Sequence, residues 1–147
     1  MERDEIVDQL NDLIRITEDS HLSLQRAAED CTDEELKTLF NDLSAERAAI
    51  VRDLQIQVAS IGGAPEATGT LMGGAHRLIT GVKAVLGART CEAILQEVGD
   101  VEAGTLARFD QAIAGDLPPE VAEALAGLAR RIGASLERLR GQSSQAA

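Results

Sequence analysis

The chain has 147 residues, with 25 acidic against 14 basic side chains and a formal net charge of −11, so its own field opposes adhesion to nucleic acid or anionic lipid. That length suits one domain around one core, and because Phe40 and Phe109 are the only aromatic residues, Leu, Ile, Val and Ala must fill it. No apolar run approaches the roughly 20 residues needed to cross a bilayer, and Met1-Glu2-Arg3-Asp4-Glu5 is too acidic for a secretory signal, so a soluble cytoplasmic protein is expected.

The first predicted helix covers about 3–31, with apolar or small residues at Ile6, Leu10, Leu13, Thr17, Ser20, Leu24, Ala27 and Cys31. Steps of three and four throughout give the seam of a helix packed lengthwise in a bundle. Thr32-Asp33-Glu34-Glu35 reads as a capping box headed by Thr32, which makes the next turn tight. The second helix, about 33–61, carries the seam through Leu36, Phe40, Leu43, Arg47, Ile50, Leu54, Gln57 and Ile61, and Gly62-Gly63 suits a left-handed cap.

Residues 62–89 are rich in glycine, contain Pro65 and include a short apolar piece at about 75–86. A segment this long is poorly explained as a plain loop and is read as a crossover connection with a short helix. The third helix, about 91–114, opens after Thr90 and continues through Ile94, Leu95, Val98, Glu102, Thr105 and Phe109. Gly115-Asp116 ends it, and Pro118-Pro119 suit the first turn of a fourth helix at about 118–140, seamed by Val121, Leu125, Leu128, Ile132, Leu136 and Leu139. The tail 141–147 is expected to fray.

Several stretches together carry a family resemblance from about Leu10 to Arg140: Leu10-Asn11-Asp12-Leu13-Ile14, Ala27-Ala28-Glu29-Asp30, Glu35-Leu36-Lys37-Thr38-Leu39-Phe40, Gly62-Gly63-Ala64-Pro65, His76-Arg77 with Lys83, Asp116-Leu117-Pro118-Pro119-Glu120-Val121 and Leu139-Arg140. In order and spacing the chain resembles a bacterial domain-of-unknown-function family of ferritin-like four-helix-bundle proteins. The resemblance implies an all-α, ferritin-like antiparallel four-helix bundle in a single domain spanning 1–147, with a long crossover containing a short helix between helices 2 and 3. It implies no activity. The sequence departs from that family's pattern at Ile79, where a tryptophan is usual, and around Gly133, where a histidine is usual.

The seams turn polar near mid-helix, the level at which bundle proteins build metal sites. The candidate metal ligands are Glu18, His21, Glu46 and Glu102, with iron or manganese as the ion. Glu18-Asp19-Ser20-His21 is an E-x-x-H whose two side chains share a helix face, but di-iron bundles need two such motifs. Arg130 and Arg131 stand near the layer where the fourth helix would supply a carboxylate. The competing expectation is that Glu46 and Glu102 pair with Arg47, Arg108 or Arg131 while His21 sits at the solvent edge.

His76, with Arg77 and Lys83, reads as an anchor for the short helix rather than an anion site. No Walker loop follows Gly69–Gly74, and no nucleophile elbow is present. Cys31 and Cys91 lack a CxxC spacing and read as small buried thiols. Their placement tests the topology: a crossover puts both at one end of the bundle, whereas an up-down-up-down bundle separates them by roughly 35–40 Å.

Two function classes follow. One is a noncatalytic structural or interaction bundle that forms a homodimer, stress-associated as similar bundles suggest, with no cofactor and neither nucleic acid nor membrane as partner. The other is a metal-binding ferritin-like protein with oxidase or storage chemistry.

Overall fold

A computed structural model describes residues 2–66 and 90–146, the side chains of 143–146 excepted. Four helices are present among them: α1 (Arg3–Asp30), α2 (Glu34–Ser60), α3 (Cys91–Ile113) and α4 (Pro119–Ala146). The expected short helix at 75–86, with His76, Arg77, Ile79 and Lys83, lies outside the described residues.

Each helix begins and ends for local reasons. At the start of α1, the Glu2 N–H donates to Glu5 Oε2 at 3.3 Å. The start of α2 differs from the expectation: Asp33, not Thr32, is the cap, accepting from Leu36 N–H at 3.0 Å. A carboxylate is the stronger acceptor for a free helical N–H, and the backbone N–H of Thr32 is turned instead toward Cys91 Sγ, 3.1 Å away. At the other end of α2, Gly62 has φ +82°, its N–H reaches Ala59 O, and Gly63 N–H reaches Val58 O, both at 3.0 Å. This paired closure satisfies two carbonyls of the last turn and requires the left-handed residue that glycine supplies.

Thr90 Oγ1 accepts from Ala93 N–H at the head of α3. Pro119 is the first residue of α4, where a missing N–H leaves nothing unsatisfied. Gly141 does not end that helix, which continues to Ala146. One glycine in an exposed turn costs only about 1 kcal/mol relative to alanine, too little to stop a helix whose following residues can continue it.

The two cysteines fix the directions of the helices. Cys31, directly after α1, and Cys91, the first residue of α3, form a disulfide with Cα atoms 5.1 Å apart, so the expectation of buried free thiols is corrected. Because α2 also starts beside Cys31, α2 and α3 point the same way and α1 and α4 run opposite to them.

The core is split along the bundle axis. One apolar cluster joins Ile6, Leu10 and Ile14 of α1 to Ile50, Leu54 and Val58 of α2, Phe109 of α3, and Val121, Leu125 and Ile132 of α4. The other gathers Leu24, Ala27 and Cys31 with Leu36, Phe40 and Leu43, Ile94 and Val98, and Leu139 around the disulfide end. Between them lies a buried polar layer of Thr17, Ser20, Ser44, Arg47, Glu102, Thr105 and Ser135.

Candidate functional site

The polar layer follows from helix periodicity. Thr17 and Ser20, Ser44 and Arg47, and Glu102 and Thr105 are each three residues apart, so every pair stacks on the inward stripe of its own helix. Arg47 and Glu102 are both 0% exposed. A lone buried charge of either sign would be strongly disfavoured, and each supplies the other's counter-charge.

Arg47 Nε donates to Glu102 Oε2 at 2.8 Å, and Nη2 lies 2.7 Å from the same oxygen in an ion pair, off the line of a hydrogen bond. The other oxygen, Oε1, accepts from Ser20 Oγ. Arg47 Nη1 reaches out to Glu46 Oε1 at 3.4 Å, and Ser135 Oγ from α4 approaches that oxygen at 3.3 Å. One guanidinium thus bridges a buried and a half-buried carboxylate and ties α2 to α3, with α1 and α4 contributing hydroxyls. Thr105 Oγ1 bonds back to Val101 O, and Thr17 Oγ1 is buried with no hydrogen-bond partner among the described residues.

The four expected ligands fall into two pairs. Glu102 and Glu46 share Arg47, whereas His21 turns toward α2, its Nδ1 2.8 Å from Ser44 O and 3.0 Å from Ser44 Oγ. A carbonyl can only accept, so Nδ1 carries the proton and His21 serves as a link between α1 and α2. Glu18 stands one turn earlier, its carboxyl raised above the usual 4.5 chiefly by burial; His21 pulls it down and Asp19 pushes it up. Among the described residues no group of three or more His, Cys, Asp or Glu is placed to hold a metal ion. The positive charge of Arg47 stands beside Glu102 and Glu46 and opposes a cation between those two carboxylates. Arg131, a second expected partner of the acidic residues, pairs with Asp53 at 3.3 Å instead.

Two further features carry weak sequence signals. Asn11 clamps the start of the connection after α2: its Nδ2 donates to Ala64 O at 3.2 Å and its Oδ1 accepts from Glu66 N–H at 2.7 Å. Arg15 to Glu66 at 3.2 Å and Gln55 Nε2 to Glu66 O at 3.2 Å complete the attachment. An asparagine beside a helical seam gives no hint of a distant backbone partner, although Asn11 does fall in one of the stretches carrying the resemblance. The disulfide likewise leaves no spacing signature, since its halves are 60 residues apart.

Among the described residues, fold and layer together define an all-helical bundle with a charge-paired centre. The chain belongs to the DUF2383 family, a domain of unknown function whose model matches residues 5–115, which takes in α2, α3 and all but the first residues of α1. No curated protein matches the chain. No helix among the described residues is long and apolar enough to cross a membrane.

Proposed function

We propose that the protein is a noncatalytic helical bundle of ferritin-like topology, a structural or interaction module of the bacterial cytoplasm with a stress-associated role. The observation that carries this reading is the Arg47–Glu102 pair at 0% exposure. In a metal-dependent bundle this level holds open carboxylates, whereas here the carboxylate is neutralised by a guanidinium and a serine. The parallel course of α2 and α3 supports the crossover, since residues 61–90 must then join opposite ends of the bundle. Self-association is part of the proposal, with Ile56 on α2, 63% exposed, as a large apolar side chain that a second copy would cover.

Anaerobic titration calorimetry with iron(II) and manganese(II) tests the central claim. Wild-type protein is expected to give no saturable heat. Saturable binding that disappears in Glu18→Ala or Glu46→Ala would replace this reading with a metal-binding bundle. Sedimentation equilibrium showing monomer alone would remove the homodimer.

A further inference from the structure

The disulfide takes no part in the polar layer, and its two sulfurs have unlike surroundings. Cys31 is 1% exposed among Ala27, Ala28, Leu36 and Ile94, whereas Cys91 is half-buried at the rim of that cluster. Cys91 Sγ accepts a hydrogen bond from Thr32 N–H at 3.1 Å, with the Thr32 hydroxyl 3.9 Å away. Cys91 is also the first residue of α3, where unpaired helical N–H groups favour negative charge. Acidic side chains at this end oppose such a charge: Asp33, Glu34, Glu35 and Glu92 are exposed and act through water, and Asp30, 21% exposed, is paired with Arg26 at 3.2 Å. The amide of Thr32 acts at contact.

We propose that Cys91 and Cys31 are a peroxide-reactive thiol pair, with Cys91 the attacking sulfur and Cys31 the resolving one, so that this end of the bundle is an oxidant-responsive clasp. The chemistry is a two-electron oxidation by hydrogen peroxide. The Cys91 thiolate attacks one peroxide oxygen, the O–O bond breaks, and hydroxide leaves and takes up a proton to give water; Cys91 becomes a sulfenic acid. Cys31 sulfur then attacks Cys91 sulfur, the S–O bond breaks, and the departing hydroxyl takes the Cys31 proton as a second water. Two thiols and one peroxide give the disulfide and two waters. A half-buried sulfur at a helix start, facing a backbone N–H and next to a buried partner sulfur, is the arrangement this sequence requires. The inference does not depend on the bundle being noncatalytic, because the layer and the clasp share no residue.

The test starts from full-length protein reduced with dithiothreitol, freed of reductant without air and given one equivalent of hydrogen peroxide with dimedone present. Wild type is expected to lose both free thiols and form the intramolecular disulfide. Cys31→Ser is expected to accumulate the dimedone adduct at Cys91 at least about tenfold faster than Cys91→Ser forms one at Cys31. Equal rates in the two variants, or a reduced wild type that keeps both thiols under peroxide and closes only with oxidised glutathione, would overturn the proposal. Should either variant misfold, excess dimedone on wild type decides by peptide mapping: adduct on Cys91 supports the assignment, and adduct on Cys31 refutes it.

Discussion

At the scale of single residues, the Arg47–Glu102 pair is a tie that is costly to break and nearly neutral to replace. Removing one partner leaves the other charged in an apolar interior, which typically costs about 3–5 kcal/mol, whereas substituting both by apolar residues of similar volume is often neutral or stabilising. Glu102→Ala is therefore expected to lower unfolding stability by about 3–5 kcal/mol in urea titrations. The double variant Arg47→Met with Glu102→Leu should recover most of that loss; equal losses in both would show that the pair contributes through something other than paired desolvation. Glu18 gives a second handle. Its folded carboxyl is raised above 4.5, so the folded state holds its proton more tightly than the unfolded chain does. Stability from this group is present below that value and is lost as pH rises through the folded one. Glu18→Gln removes the ionisation, so its melting temperature should exceed wild type at pH 7 and the gap should close below about pH 4.5. Thermal melts across that range decide, and a gap independent of pH would rule out desolvation of Glu18.

At the scale of helices, most of the architecture can be read from periodicity, because a seam repeated at three and four residues has one packing solution while its caps depend on local chemistry. The polar break was legible too: Arg47 interrupts an otherwise apolar stripe between Leu43 and Ile50, and Thr17 and Ser20 do the same between Leu13 and Leu24. Which of Arg47, Arg108 and Arg131 meets Glu102 was not legible, since the partner comes from a helix 55 positions away. For the same reason the attachments of Asn11 escaped the pattern, and the choice between Thr32 and Asp33 as cap turned on the competing contact with Cys91. Gly62-Gly63, by contrast, announced the end of α2, and the pair does more than cap. A Cβ at Gly63 would stand 2.5 Å from Val7 Cγ2 and 3.1 Å from Val58 Cγ1, so this residue is glycine because α1 begins against it. Gly63→Ala is expected to destabilise by about 1–3 kcal/mol through overpacking. Adding Val7→Ala should return part of that loss, because the clash is chiefly with Val7; a fully additive double variant in calorimetric melts would place the strain elsewhere.

At the scale of the whole molecule, the disulfide is the one covalent constraint among the described residues, and it spans the bundle's longest connection. The loop it closes has a sequence separation of 60 and contains all of α2 together with the segment leading to α3. Closing a loop of that size restricts the unfolded chain far more than the folded one, in which Cys31 and Cys91 already sit 5.1 Å apart by Cα. The chain-entropy relation gives about 4 kcal/mol for it at 25 °C. That is a large share of the roughly 5–15 kcal/mol that holds a typical domain folded, so the bundle should be marginal when reduced and firm when oxidised. Urea titrations with and without dithiothreitol measure the difference directly: the midpoint is expected to fall on reduction, and the double variant Cys31→Ala with Cys91→Ala should match the reduced wild type whether or not reductant is present. The slope of the transition should steepen slightly on reduction, because an uncrosslinked chain exposes more surface when unfolded. An unchanged midpoint would mean that packing of Ile94 and Val98 against Leu36, Phe40 and Leu43 alone secures the start of α3, with the covalent link adding nothing to the fold.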